Sequence, residues 1–519
     1  MSKIRNIIYG GLIALTCASC SDFLDTPPND LLSPDNFYKT AAQSEQGVRG
    51  VYADIGTFDS DGYLYMSECR SDNAWVNPRT DGMREYSEIG TFRATYDLET
   101  FNTVWNNLYK IIYDANLVLS KLDGASISSD AMKNQFKGEM LFMRAWSYME
   151  LARFFGNIPM ITTPLSPNES KTVGQSTARE IFDKVIVPDL TEAIKLLPYK
   201  EGMVNAKNTS AESEGRADKM AATAMLARAY TTLAGFPFND ANAKGLAKTT
   251  LKSILDYSAA NGDKYWAPTL DEWRKQWMPS TEYYNKYSIF AIQHRTKEGR
   301  NYVIFNYGPI LPPSYSSHKA YGNQIYIEKS LEYEFERTFS NGNRDGRGVG
   351  FTTLEGYAEE PNYPTYTNDK ENLTLENGST VQVLSKTMFY KFYPSTYKLA
   401  ALGMTFNESS MIDNYDWPVN FPVLRLEDMM LLYAEILAEE GDIKGALSYV
   451  NKIRQRAGCD PATASTAEEA LKMVKRERRI ELAGEGVRWF DMVRYGEWQS
   501  DITNMFDRYN NPDGTDKND

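Results

Sequence analysis

Lys475-Arg476-Glu477-Arg478-Arg479-Ile480-Glu481-Leu482-Ala483-Gly484-Glu485-Gly486-Val487-Arg488-Trp489-Phe490-Asp491-Met492-Val493-Arg494 is the densest charge pattern in the chain. Glu477, Glu481, Glu485 and Arg488 recur at spacings of four, four and three, which places them along one side of a helix. Arg and Glu alternate there, and an Arg fork can hold a carboxylate at two points. The plainest reading is a structural ion-pair network that locks the last helices to the body. The interleaved acids argue against a nucleic-acid patch.

Outward from this stretch the chain reads mainly helical. Val104, Leu108, Ile111, Ile112, Ala115 and Leu119 fall at helical spacing, as do Phe142, Ala145, Trp146, Met149 and Ala152. Ala222, Met225, Leu226, Ala229 and Leu233 make a third stripe, and Leu426, Met429, Met430, Tyr433 and Leu437 a fourth. Gly441-Asp442-Ile443-Lys444-Gly445-Ala446-Leu447 resembles the turn of a tetratricopeptide repeat, with Gly for the tight turn and a small Ala446 for close helix approach. Ala193-Ile194-Lys195-Leu196-Leu197-Pro198 resembles the end of another repeat. Together these features predict an α-solenoid. Between about Tyr265 and Trp417 the stripes fade and Tyr, Pro, Gly and Asn become dense. A loop-rich insertion with a few short strands is expected there, including Tyr287–Ile292 and Val381–Leu384.

Composition narrows the function. Hydrophobic residues at 42% and charged residues at 24% are ordinary globular usage, which excludes wholesale disorder. The net charge of −13 gives no electrostatic help toward phosphate backbones, so no nucleic-acid partner is expected. Nine Trp, 34 Tyr and 23 Phe stand against two His and four Cys, so stacking surface is plentiful and nucleophile or metal-ligand chemistry is scarce. A P-loop is absent, because Lys248-Thr249 lacks the preceding Gly, and no GxSxG, HExxH or CxxC pattern occurs. His294 and His318 read as hydrogen-bonding loop residues. Asn341-Gly342-Asn343-Arg344-Asp345-Gly346 lacks the acid that closes a twelve-residue calcium loop, and Arg344 adds a positive charge. A carboxylate pair for glycoside hydrolysis stays open, since any two of 69 acids could meet in space.

The N-terminus reads as a secretion signal: Lys3 and Arg5 precede the short apolar run Ile7–Leu15, too short to span a membrane. In Cys17-Ala18-Ser19-Cys20 the small residues before Cys20 resemble a bacterial lipobox, with Cys17 where Leu is usual. Cys20 is the expected lipid attachment and Cys17 the alternative. Ser21-Asp22-Phe23-Leu24-Asp25-Thr26-Pro27-Pro28 then reads as a tether. Cys69 and Cys459 leave one disulfide possible, and their flanks do not decide it.

A sugar site would draw on Glu68-Cys69-Arg70-Ser71-Asp72-Asn73-Ala74-Trp75, followed by Arg79, Arg84 and Tyr86. An indole face stacks on a pyranose, and bidentate polar groups take its hydroxyls. The competing reading is a loop Trp packed on the scaffold, with Asp72 and Asn73 capping a turn.

These residues resemble a known family. Cys20-Ser21-Asp22-Phe23-Leu24-Asp25 is similar to the mature start of SusD/RagB-type lipoproteins of Bacteroidota. Gly138-Glu139-Met140-Leu141-Phe142-Met143-Arg144-Ala145 with Phe155-Gly156-Asn157-Ile158-Pro159 resembles that family's next segment. Gly215-Arg216-Ala217 and Ala227-Arg228-Ala229-Tyr230 resemble the following helix pair. Arg425-Leu426 through Tyr433-Ala434-Glu435, Asn451-Lys452-Ile453-Arg454-Gln455-Arg456-Ala457-Gly458, and Glu477–Arg494 resemble its C-terminal blocks. The family's usual ending is replaced here by Asn511-Pro512-Asp513-Gly514, which reads as divergent or truncated.

The resemblance implies a mainly α fold with four tetratricopeptide-like helix pairs. It also implies a surface-exposed outer-membrane lipoprotein that binds glycan or peptide as a lid on a SusC-like TonB-dependent transporter, with no catalysis and no cofactor. The chain is then expected to divide into a lipoprotein signal over 1–19, an anchor and tether over 20–40, a scaffold over 41–260 and 418–500, a ligand-facing region over 261–417 and a disordered tail over 501–519. Trp75 would supply one stacking platform, with Asp72, Asn73 and Arg84 as polar partners. A second platform would come from Trp273, Tyr283, Tyr284, Tyr307 and Tyr315. A peptide-binding RagB-like lid is the alternative, and a surface glycoside hydrolase the more distant one.

Overall fold

A computed structural model describes residues 37–56, 62–76, 84–212, 215–279, 286–297, 301, 316–318, 325–348, 350–353, 370–375, 377–384 and 387–509. Its frame is a chain of helices: α1 (Ala41–Ile55), α2 (Glu99–Lys121), α3 (Asp130–Phe155), α4 (Val187–Leu196), α5 (Lys219–Ala234), α6 (Ala241–Ala260), α7 (Leu426–Glu439), α8 (Ile443–Arg456) and α9 (Ala467–Glu481). Each packs on the next in sequence order. Helices α1 with α2, α3 with α4, α5 with α6 and α7 with α8 pack as four successive pairs of a tetratricopeptide-like solenoid, with α9 stacked on the last. The long stretch between α6 and α7 does not interrupt the stack, because those two helices pack directly on each other.

Local sequence explains these elements. In α2 the stripe Val104, Leu108, Ile111, Ile112 and Ala115 is buried. In α5 the buried Ala221, Ala222, Ala224, Ala227 and Ala229 have no bulk to hold neighbouring helices apart. Gly441 ends α7 in the left-handed region at φ +84°, where a side chain would be strained. Asp442 caps α8 by accepting from the Gly445 amide at 2.9 Å, and Ala446 is buried behind it. Thr466 and Glu469 form a capping box at the start of α9.

Buried ion pairs fix helix register. Arg216 donates to both oxygens of Glu139 in α3, at 2.8 and 2.7 Å, and to Glu45 in α1 at 2.9 Å. Arg144 grips Asp189 in α4 with two bonds of 2.7 and 2.8 Å. These pairs give the Glu139–Arg144 and Arg216 segments a physical role: bidentate forks tie α3 to its neighbours.

The insertion is sewn back onto the scaffold by strands. Ser288–Ile292 pairs antiparallel with Phe421–Arg425, the strand that leads into α7. Phe290 meets Phe142 of α3 edge-on at 4.9 Å. Lys370–Thr374 and Thr380–Leu384 form a hairpin. Cys69 and Cys459 are separate buried thiols. Among the described residues no helix is long and apolar enough to cross a membrane.

Two expectations change here. The helix carrying Glu477 and Glu481 stops at Glu481, because Gly484 and Gly486 turn the chain at φ +81° and +71°. The charge pattern therefore continues through a turn rather than along one helical face. The tail expected to be disordered from residue 501 is instead helical as far as Tyr509. Helix α10 (Arg488–Tyr495) is followed by α11 (Trp498–Tyr509), which buries Ile502, Met505 and Tyr509 against Trp75. The apolar spacing of those three residues is what holds it; residues 510–519 lie outside the described residues.

At the centre of the network Glu481 accepts from Arg347 at 2.7 Å, Arg456 at 2.8 Å, Arg425 at 3.1 Å and the Trp273 indole at 2.9 Å. Glu485 takes Arg425 through two bonds of 2.8 Å and Lys391 at 2.6 Å. Burial alone would raise the Glu481 pKa, but Arg456, Arg425 and Arg347 hold it well below the carboxylate range. Glu481→Gln is expected to cost roughly 3–5 kcal/mol, read by urea unfolding, because it leaves buried guanidinium groups without a counter-charge. A loss below 1 kcal/mol would contradict this role.

Glu332 is the opposite case. It is fully buried on the helix Lys329–Glu336 and has no salt bridge among the described residues. Burial, reinforced by Glu336, pushes its pKa well above the ordinary value. The folded state therefore keeps the proton that the unfolded chain releases, so stability falls as pH rises from the ordinary glutamate pKa toward the raised one. Glu332→Gln is expected to stabilise the protein by roughly 1–3 kcal/mol at neutral pH and to flatten that decline, as measured by unfolding across pH 4–8.

Candidate functional site

The segment Glu68–Val76 is a clamp. Glu68 is buried and accepts from the amides of Gly484 and Gly486 at 2.8 and 2.9 Å and from Asn73 at 2.8 Å. Asp72 accepts two bonds from Arg488, at 2.6 and 2.9 Å, with Arg479 at 3.6 Å. Burial opposes its ionisation, yet Arg479 and Arg488 hold the carboxyl well below its usual range. The Asn73 side-chain Oδ1 accepts from Arg479 at 2.9 Å. The Trp75 ring stacks face to face on Tyr509, with centroids 3.9 Å apart and 6° between planes, and meets the Phe506 ring edge-on.

This geometry corrects the first proposed platform. Asp72, Asn73 and Trp75 are all buried, the Asp72 carboxylate and Asn73 amide are bound to protein partners, and an aromatic ring already covers one indole face. They hold the N-terminal part to α9, α10 and α11 and offer nothing to a sugar. Arg84 is exposed and donates two bonds to Glu88, at 2.6 and 3.2 Å. Trp273 is also corrected: it is completely buried, and its N–H is spent on Glu481. Tyr283, Tyr284, Tyr307 and Tyr315 lie outside the described residues.

The structure does describe the footing of the aromatic insertion. Asn301 is buried; its amide donates to the Tyr415 carbonyl at 2.7 Å, and its side chain to the carbonyls of Trp417 and Val419 at 3.0 and 2.8 Å. Ser316 is buried, and the Ser317 amide donates to Glu408 at 2.7 Å. The His318 ring stands edge-on to Trp417 at 6.1 Å, and the His318 carbonyl accepts from Tyr393 at 2.8 Å. Asn301 is thus tied to the backbone at Trp417 and Val419, and His318 packs on the completely buried Trp417 indole, which Tyr393 and Phe406 also pack. Both histidines act as loop residues: the His294 amide donates to Asn420 at 3.0 Å.

A second footing is the ribbon of Ala74–Val76 with Ile325–Ile327, in which Val76 pairs with Ile325. Sequence reading passed over Trp417. Its signal was present, since a lone Trp before Pro418, in Asn414-Tyr415-Asp416-Trp417-Pro418, closes the aromatic stretch.

With the fold in view, comparison with known proteins gives the family. A model of the SusD family matches residues 219–519, and a model described as starch-binding and associating with the outer membrane matches residues 22–231. The chain belongs to the SusD family. A SusD-like protein of Formosa agariphila is 26% identical, over 95% of this chain and 90% of its own. One of Bacteroides ovatus is 22% identical, over 96% and 83%. A SusD homologue from Bacteroides thetaiotaomicron has the same fold, with a TM-score of 0.68 at 20% identity over 92% of this chain and 90% of its own. A laminarin-binding SusD-like protein superposes with a TM-score of 0.65 at 22% identity, over 90% and 94%.

The clamp makes a direct prediction. Trp75→Ala is expected to destabilise the protein by about 3–5 kcal/mol and to expose α11 to proteolysis. Chemical unfolding and limited digestion would check it; intact α11 with unchanged stability would contradict the packing role.

Proposed function

We propose that this protein is a surface lipoprotein, anchored at Cys20, that captures nutrient glycan and passes it to a SusC-like TonB-dependent transporter in the outer membrane. The observation that carries the reading is the footing on Trp417. A rigid, buried support holds both ends of a stretch that carries Tyr302, Phe305, Tyr307 and Tyr315. Tyrosine faces can stack on the apolar faces of sugar rings. Family membership supports the same reading, as do neighbours of the same fold described as laminarin-binding and as surface glycan-binding proteins. Asp72, Glu481 and Glu485 are each held by arginine or lysine, which takes these three carboxylates out of acid–base chemistry.

The double variant Tyr307→Ala/Tyr315→Ala is expected to lose at least tenfold in glycan affinity, about 1.4 kcal/mol, with the melting temperature unchanged. Calorimetry against a panel of neutral oligosaccharides reads this directly. Unaltered affinity removes these tyrosines from the site. A panel on which only peptides bind would move the function to peptide capture.

A further inference from the structure

A second surface on the scaffold has the chemistry of a sugar site. Trp105, Tyr109 and Tyr113 recur every four residues on α2 and line a cleft of about 490 Å³. Their Cα positions rise about 6 Å apart along the helix axis, and the Trp105 and Tyr109 ring centroids lie 4.9 Å apart. Ile112 completes the floor, and Pro159 and Pro167 stand in the walls.

The cleft is built rather than incidental. The Tyr109 hydroxyl donates to the Pro159 carbonyl at 2.7 Å. The Trp105 ring is held by Tyr109 at 4.9 Å and edge-on by Phe155 at 5.1 Å. The wall beyond Pro159 is pinned by Tyr148, whose hydroxyl donates to the Ile161 carbonyl at 2.8 Å and accepts from the Ile161 amide at 2.6 Å. Asn116 donates to the same carbonyl at 3.0 Å. The opposite wall is the short helix Pro167–Ser170, closed by a capping box from Ser166 and Glu169. Trp105 and Tyr109 are partly buried, and Tyr113 is 45% exposed.

Charge selects the occupant. No charged side chain lines the cleft among the described residues. An anionic glycan, an acidic peptide or a phosphate would find no counter-charge there. Ser170 of the short helix puts a hydroxyl in the lining. A neutral ligand with a flat C–H face and a hydroxylated edge matches an aromatic floor and a polar rim.

We infer that the Trp105–Tyr109–Tyr113 cleft is a second binding site for neutral oligosaccharide, distinct from the tyrosine-bearing insertion. This rests on the glycan-capture reading above. Two stacking sites on one rigid chain let a polymer engage both, so long glycans gain by effective concentration while short ones do not.

Hydroxyl-radical footprinting of the full chain tests this, with laminarihexaose, maltohexaose and cellohexaose as separate probes and calorimetry run in parallel. One probe is expected to protect Tyr113, and the protection should persist in Tyr307→Ala/Tyr315→Ala. Tyr113→Ala, at an exposed position, is expected to weaken binding of the parent polymer about tenfold, with the melting temperature unchanged. A probe that binds while Tyr113 modification stays the same overturns the cleft and leaves the glycan reading standing. Failure of all three probes to bind overturns the cleft and counts against glycan capture itself. Protection of Tyr113 by a proline-rich peptide or a detergent, and by none of the three sugars, overturns the sugar assignment.

Discussion

The fold turns on one buried carboxylate. Glu481 sits at zero exposure and gathers Arg347 from the insertion, Arg425 from the strand before α7, Arg456 from α8 and the indole of Trp273. Around it Arg347, Arg425, Arg454, Arg456 and Lys391 face Asp345, Glu427, Glu477, Glu481 and Glu485, so the cluster is balanced in charge. Such a cluster contributes little net stability, because desolvation offsets most of the attraction. Its effect is on geometry. Every member is penalised unless the others are in place, so insertion and solenoid can meet in one way only.

The same C-terminal stretch closes the chain on itself. Arg479 and Arg488 reach back to Asn73 and Asp72, and Gly484 and Gly486 present amides to Glu68. A side chain on Gly486 would run into Ser67 and Tyr63, so the close approach depends on glycine. Trp75 and Tyr509 then seal α11 onto this clamp. The N-terminal and C-terminal parts are thereby joined by groups more than 400 residues apart in sequence.

These constraints leave the binding surfaces to other residues. The charged centre and the clamp consume the Trp, Asp and Arg groups that a ligand would otherwise use. Away from them, Asn301 and His318 pack at Trp417, and the aromatic row Trp105, Tyr109 and Tyr113 lines a cleft on α2.

Much of the scaffold was written in the sequence. The alanine-rich stripe of α5, the Gly441–Ala446 turn and the arginine–glutamate alternation near Glu481 are local patterns, and helical periodicity and turn chemistry are set within a few residues. The identity of each charge's partner was not local. Asp72, Asn73 and Trp75 have the same residue types whether they face a sugar or a clamp, and only Arg479, Arg488 and Tyr509 decide between the two. Trp273 looked like a platform until Glu481 took its N–H. The row Trp105, Tyr109 and Tyr113 was hidden in a stripe dominated by core residues, since periodicity does not tell which side of a helix its neighbours leave open. The sequence by itself determined the helices, their pairing and the family; tertiary packing decided which aromatic and charged groups are buried, because burial depends on partners hundreds of residues away.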